Sequence, residues 1–243
     1  MNAIEVKGLT KAFGDVLAVD NLSFSVGEGE FFALLGVNGA GKTTAIRLLT
    51  CLSRADAGEA FLAGHSVTDE EQAVKAITNV SPQETAIATR LSVRENLLLI
   101  ARLYGADKKE AARRTDAVIE RMGLCEVAAR RAGVLSGGWQ RRLSIAMALI
   151  SEPKILFLDE PTLGLDVLAR RELWGILRGL KGKITVVLTT HYLEEAEALA
   201  DRIGILSRGK MVACDTADAL KARAGKDNFE EAFIALATGE VIA

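Results

Sequence analysis

Apolar and polar positions follow different rhythms in successive stretches of the chain. Over residues 4–26 they alternate. Ile4 and Val6 are flanked by polar residues, and the runs at 17–19 (LAV) and 22–26 (LSFSV) repeat the theme, which predicts short strands and turns. Residues 30–36 (EFFALLG) contract into a dense apolar strand, a glycine-rich turn follows, and 43–51 predicts a helix. Strand, glycine turn and helix make the first half of a doubly wound α/β unit.

From Ser92 to about Arg131 the rhythm becomes helical. Ser92 and Glu95 have capping-box spacing, and Val93, Leu97, Ile100, Ala101 and Tyr104 fall on one helical face. Residues 108–122 predict a second helix, so 87–135 reads as a helical insertion. Afterwards Trp139, Leu143, Ala146, Met147 and Ile150 line one face of a further helix. The runs ILFLD (155–159) and ITVVLTT (184–190) are buried strands. A helix over 166–180 separates them, and another with Glu194, Glu195 and Glu197 in its early turns follows. Near-continuous apolar strands alternating with helices indicate a parallel sheet covered on both faces. A last helix over 229–237 is expected to serve packing.

Composition narrows the classes. A 243-residue chain, 49% hydrophobic with net charge −2, suits one large α/β domain or a core with a subdomain, and its charge gives no support for nucleic acid as main partner. The doublets Arg113-Arg114, Arg130-Arg131 and Arg170-Arg171 read as solvated helix faces. Cys51, Cys125 and Cys214 are far apart and fit no disulfide or zinc spacing, so a reducing compartment and small buried thiols are expected. The start, MNAIEVKGLT, has no signal-peptide pattern, and no apolar run approaches the ~18 residues that span a bilayer. A cytoplasmic protein that reaches a membrane only through a partner is the expectation.

The chemistry begins at GVNGAGKT, residues 36–43. Glycines let successive backbone N–H groups point inward around phosphates, and the following helix adds its positive end. Lys42 can reach the β- and γ-phosphates, and Thr43 can place its hydroxyl on Mg²⁺. ILFLDE (155–160) ends a buried strand in two acids at the carboxyl edge of the sheet. There Asp159 can hold Mg²⁺ through water, and Glu160 can polarise an attacking water. His191 ends the strand ITVVLTT at the same edge. Gln83, in SPQET, begins the crossing into the helical insertion. LSGGWQRR (135–142) has no catalytic side chain, but Ser-Gly-Gly ahead of a helix resembles backbone arranged to hold an anion.

In this order the residues resemble the nucleotide-binding subunit of an ABC transporter, over nearly the whole chain. The anchors are Phe13 in KAFG, GVNGAGKTT, Gln83, LSGGWQRR, ILFLDEP, Gly164-Leu165-Asp166 and Thr190-His191. The resemblance implies a single domain over 1–243 of α/β class: a P-loop NTPase core with a parallel sheet, an N-terminal antiparallel β subdomain and an inserted helical subdomain. Residues 1–86 and 136–243 would form the core, and 87–135 the insertion. It implies that ATP is bound by Phe13, stacked on adenine, and by Gly36, Val37, Asn38, Gly39, Ala40, Gly41, Lys42, Thr43 and Thr44. Mg²⁺ would be held by Thr43, Gln83 and Asp159, partly through water. Glu160 would be the catalytic base, His191 the switch on the γ-phosphate and Gln83 its mobile sensor. Ser136, Gly137 and Gly138 would hold the γ-phosphate of ATP bound to a second copy or a homologous subunit, and Asp166 would contact that copy.

Trp139 departs from the family signature, usually LSGGQ. Indole offers one donor and no acceptor, so a packing role is favoured over nucleotide contact. THYLEEAEALADRI, SVRENL, ARLYG and the short C-terminus resemble the exporters of the antibiotic-resistance, sodium-extrusion and polysaccharide-export group. The implied function is an ATPase motor for an integral-membrane permease, peripheral on the inner face of the cell membrane. Three other readings compete. An ATPase of the same motif set acting on DNA or ribosomes would need long coiled coils or a second cassette, and an importer subunit usually carries an added regulatory domain. A binding module that holds ATP without hydrolysis would lack one of Lys42, Glu160 or His191, and all three are present.

Overall fold

The computed structural model describes residues 1–239. Six strands form the central sheet: β3 (Phe31–Leu35), β6 (Thr78–Ser81), β7 (Ile155–Asp159), β8 (Thr185–Thr190), β9 (Arg202–Ser207) and β10 (Lys210–Asp215). β1 (Asn2–Phe13), β2 (Val16–Gly27), β4 (Ala57–Leu62) and β5 (His65–Ser66) form a separate antiparallel sheet ordered β2-β1-β4-β5. The central order is β10-β9-β3-β8-β7-β6. All its pairings are parallel except β9 with β10.

Every residue of β3, β7 and β8 is buried, and the two-residue period of a strand divides them between two cores. Phe31, Ala33, Leu35, Leu156, Leu158, Val186 and Leu188 pack with the helical side. Phe32, Leu34, Ile155, Phe157 and Val187 pack with the antiparallel sheet and with α1 (Lys42–Leu49). The sheet is thereby covered on both faces, and α1 stands on the antiparallel-sheet side of β3.

α2 (Glu71–Ile77) leads into β6. α3 (Val93–Leu103) carries the expected capping box, with Ser92 accepting from the Glu95 amide and Glu95 accepting from the Ser92 amide. Asp107 caps α4 (Lys108–Arg121) by accepting from the Glu110 amide, and α3 packs on α4. Then come α5 (Gly137–Leu149), α6 (Val167–Arg178), α7 (Leu193–Leu199), α8 (Ala217–Ala224) and α9 (Phe229–Thr238). Among the described residues no helix is long and apolar enough to cross a membrane.

Four expectations change. The short N-terminal strands are two continuous strands of 12 residues each. Register shifts around Leu9 and Lys11, with Gly8 at φ 63°, interrupt the alternation, so one long bulged strand reads as several short ones. Cys125 is exposed, because in its short turn Leu124 and Val127 take the buried positions. Burial raises the half-buried thiols of Cys51 and Cys214 above the ordinary range. Arg113 lies on a solvated face, while Arg114 is half-buried beside it. They share Glu110, whose carboxyl Arg113 and then Arg114 hold down to about 2. Arg170 is also half-buried, and its guanidinium lies 4.4 Å from the Tyr192 ring centre. The β9–β10 hairpin was not foreseen: its turn, Arg208-Gly209, hydrogen-bonds to Ala40 and Asp20 and so braces the glycine loop.

Candidate functional site

The glycine loop joins β3 to α1, and its shape is forced by its neighbours. A Cβ on Gly36 would lie 2.6 Å from the Leu206 carbonyl oxygen and 2.9 Å from the Ala40 Cβ. Gly41 holds φ 102°, and a Cβ there would lie 2.3 Å from the Ala18 carbonyl oxygen. Only glycine satisfies both the conformation and the approach. α1 starts directly after Gly41, so its first amide groups face the loop.

A cavity of about 640 Å³ opens over this loop. Asn38, Gly39, Ala40, Gly41, Lys42, Thr43, Thr44, Gln83, Glu160 and His191 line it, together with Val16, Leu17, Ala18, Leu163 and Arg208. Buried Lys42 donates to the carbonyls of Gly36 (2.7 Å) and Val37 (3.3 Å), and its Nζ is 3.2 Å from Glu160 Oε1. The other oxygen of Glu160 meets His191 Nδ1 at 2.8 Å. Two groups, Lys42 from the start of α1 and His191 from the end of β8, therefore converge on the one carboxylate that follows β7.

Asp159 sits one layer deeper. Its Oδ1 accepts from the Thr43 hydroxyl (3.2 Å) and from the Thr189 hydroxyl. Glu160 itself is in the left-handed region at φ 49°, a conformation that costs a non-glycine residue about 1–3 kcal/mol and persists only where neighbours over-determine it. They do so here. The Glu160 amide donates to the carbonyl and hydroxyl oxygens of Thr189, both at 3.1 Å. From the other side, the guanidinium of Arg141 donates to the carbonyls of Asp159 (2.6 Å), Glu160 (2.9 Å) and Pro161 (2.8 Å). The same guanidinium reaches the carbonyls of Pro82 (2.6 Å) and Gln83 (3.0 Å). One buried cation on α5 thus joins the Gln83 segment to the acidic strand end. Burial pushes its pKa down to about 10, against the charges of Asp159, Glu195 and Glu160, so it stays protonated at neutral pH.

Behind this layer lies Glu195 on α7, fully buried. Burial raises its carboxyl above the ordinary range, while contacts from Thr190, Thr162 and Trp174 oppose the rise. The Trp174 indole N–H donates to Oε1 at 3.2 Å.

The remaining expected residues sit outside the cavity lining. Phe13 is exposed at the end of β1, paired with Val16 across the hairpin, with the Lys11 ammonium 5.5 Å from its ring centre. Ser136 is the N-cap of α5 and its hydroxyl makes no capping bond; Gly137 is exposed beside it with nothing within 4 Å of its Cβ direction. Gly138 approaches Ala169, where a Cβ would lie 3.3 Å from the alanine methyl, so the start of α5 packs against the start of α6. Asp166 caps α6, accepting from the amides of Leu168 and Ala169 at 2.9 Å. Trp139 is half-buried against the helical core with the Arg142 guanidinium 4.7 Å above its ring, and Arg142 pairs with Glu172. His65 makes an exposed pair with Glu70, away from the cavity.

Arg141, Thr189 and Glu195 escaped the sequence reading. The only signal for Arg141 was its place directly after the glycine signature, and a charged residue on an amphipathic helix reads as solvent-facing. The middle of α5 is instead buried all round, from Arg141 to Ala146.

The comparisons agree with this geometry. The family model described as ABC transporter matches residues 19–163. Daunorubicin resistance ATP-binding protein DrrA3 of Streptomyces coeruleorubidus is 44% identical over 229 residues, covering 94% of this chain and 72% of that protein. The Nod factor export ATP-binding protein I of Rhizobium sp. (strain N33) is 43% identical over 213 residues, 87% of this chain and 70% of that protein. A solved ATP-binding subunit of an ABC transporter superposes with TM-score 0.84 at 29% identity, covering 96% of this chain and 99% of that one. A dimeric ATP-binding cassette in a post-hydrolysis state, bound to ADP and Pi, gives TM-score 0.77 at 26% identity, over 88% of this chain and 98% of that one. With its glycine loop, strand-end acids and signature helix in one frame, the chain belongs to the ABC transporter family as an ATP-binding ATPase.

Proposed function

We propose that the chain is the ATP-hydrolysing subunit of an exporter and that two copies enclose two ATP molecules between them. The observation that carries this reading is the split between its two anion-binding elements. The glycine loop, Lys42, Glu160 and His191 line one cavity, whereas the exposed Ser136 and Gly137 sit at the start of α5 outside it. Each half lacks what the other supplies. The exposed apolar residues Leu163, Val167 and Leu168 beside Asp166 support a contact between copies at that loop.

In this reading the loop amides of residues 38–44 and Lys42 hold the β- and γ-phosphates, and Glu160 draws a proton from the attacking water. His191 holds Glu160 and reaches the γ-phosphate, Gln83 senses that phosphate, and Phe13 stacks on adenine at the open end. Ser136, Gly137 and Gly138 complete the site of the partner, with Asp166 at the contact. Thr43 and Asp159 fit a hard cation: their oxygens are 3.2 Å apart, and Gln83 is exposed on the same cavity. Among the described residues no group of three or more His, Cys, Asp or Glu gathers there, so Mg²⁺ would take further ligands from phosphate and water. When bound, it would neutralise phosphate charge. Residues 87–135 would form the helical subdomain of one domain, with 1–86 and 136–239 as core; residues 240–243 of the expected core lie outside the described residues.

Export is favoured because the Nod factor relative carries that role in its name and the other relative is named for drug resistance, which export would confer. A membrane permease would then be the partner, with the chain held on the cytoplasmic side through it. Glu160→Gln tests the assignment. Steady-state phosphate release should fall at least about a hundredfold, while ATP brings the variant together as a dimer in light scattering. Parental turnover in that variant would reject Glu160 as base.

A further inference from the structure

Arg170 was expected on a solvated face, and its actual surroundings are unusual. Its Nε is buried with no hydrogen-bond partner, a costly arrangement unless something else compensates. The guanidinium carbon lies 4.4 Å from the centre of the Tyr192 ring, and a ring face is the compensating group. Tyr192 in turn lies against His191, with ring centres 4.2 Å apart and planes inclined by 39°. His191 Nδ1 then meets Glu160.

We propose that Tyr192 and Arg170 are positioning residues, a stack that fixes the His191 imidazole against Glu160 and ties it to the loop over residues 160–166. The chain of contacts is closed. Arg170 belongs to the first turn of α6, with its amide bonded to the carbonyl of Asp166 at 3.0 Å. Asp166 ends the loop that begins at Glu160. Arg170, Tyr192, His191 and Glu160 therefore span that loop from end to end, and moving Asp166 moves the cation under the tyrosine. Tyr192 is itself fixed, because its amide donates to the Thr190 hydroxyl at 2.9 Å and its carbonyl accepts from Glu195 at 3.2 Å. A second copy pressing on Leu163 or Asp166 would be felt at the histidine without touching it. The inference rests on Glu160 and His191 acting as proposed above.

Tyr192→Leu keeps bulk and removes the ring face; Tyr192→Phe keeps the ring. Arg170→Ala removes the cation from a half-buried position, and serves where Tyr192→Leu does not fold. Phosphate release is measured against ATP concentration for each, with thermal unfolding alongside. Tyr192→Leu and Arg170→Ala should each lower kcat about fivefold, the effect of one cation–π contact, with KM for ATP within about twofold. Tyr192→Phe should restore kcat, and the double variant should lose no more than either single one. A merely structural role would instead lower Tm with kcat unchanged, or give multiplying losses, and either result overturns the stack. Glu160→Gln run in parallel separates the two readings. If it is inactive while Tyr192→Leu is unaffected, the stack alone fails; if it keeps parental turnover, the assignment of the base fails and the stack with it.

Discussion

Replacing Arg141 with methionine should unfold the chain earlier and slow it. Methionine keeps the length of the side chain and removes every donor. Five carbonyl oxygens on two segments then lose their partner together, those of Pro82, Gln83, Asp159, Glu160 and Pro161. A hydrogen bond from a charged group is worth about 1.5–3 kcal/mol, and three nitrogens serve the five acceptors, so about 6 kcal/mol of interaction is lost. Methionine also removes the need to bury a charge. The fall in the guanidinium pKa to about 10, net of the opposing charges of Asp159, Glu195 and Glu160, puts that relief on the order of 3 kcal/mol. The net loss is about 3 kcal/mol, which for a chain of this size lowers Tm by roughly 6–12 °C. Lysine retains a charge but cannot span both segments with one ammonium, so Arg141→Lys should fall between. Calorimetry and phosphate release on the same samples check this. Turnover should fall about tenfold to a hundredfold, because Glu160 keeps only its Thr189 bonds and loses the Arg141 side of the clamp on its left-handed conformation. An Arg141→Met protein melting within 2 °C of the parent, by a measurement good to about 1 °C, would refute the clamp.

Two further predictions concern residues that the cavity does not expose. Glu195 binds its proton more tightly when folded than the ordinary value of 4.5, so from about pH 4.5 upward to its folded pKa the folded state holds more protons than the unfolded chain. Stability contributed by that proton is therefore lost as pH rises. Glu195→Gln should gain Tm relative to the parent as pH rises above about 4.5, and a Tm difference independent of pH would contradict the raised carboxyl. Trp139→Gln should lower Tm by a few degrees, since about 0.5–1 kcal/mol of contact with Arg142 is lost. Its turnover should stay within about twofold, and a large fall would show that the indole touches nucleotide.

What could be read from the sequence was whatever depends on local order along the chain. The glycine loop declares itself because GVNGAGKT is contiguous, although the contacts that demand glycine at 36 and 41 come from Leu206 and Ala18 elsewhere in the chain; β7 and β8 declare themselves by their unbroken apolar cores, 155–158 and 186–188. The capping box at Ser92 is local in the same sense. Arg170 was misjudged, and Arg141 and Glu195 were passed over, for one shared reason. Each is a charged residue whose partners are 18 or more residues away, or a ring on another element, and helical periodicity assigns such residues to solvent. Exposure of Ser136 outside the cavity followed from the family resemblance; no spacing in the chain implied it.

The central claim is that each ATP site is shared between two copies, and mixing two inactive variants tests it most directly. Lys42→Ala disables the phosphate loop of its own copy, and Ser136→Arg blocks the signature that serves the other. In a mixed pair one site inherits both defects, and the second joins an intact loop to an intact signature. ATP turnover of the equimolar mixture should rise well above either variant alone and should depend on protein concentration. A mixture no more active than the mean of its components, with both variants folded, would contradict the shared site.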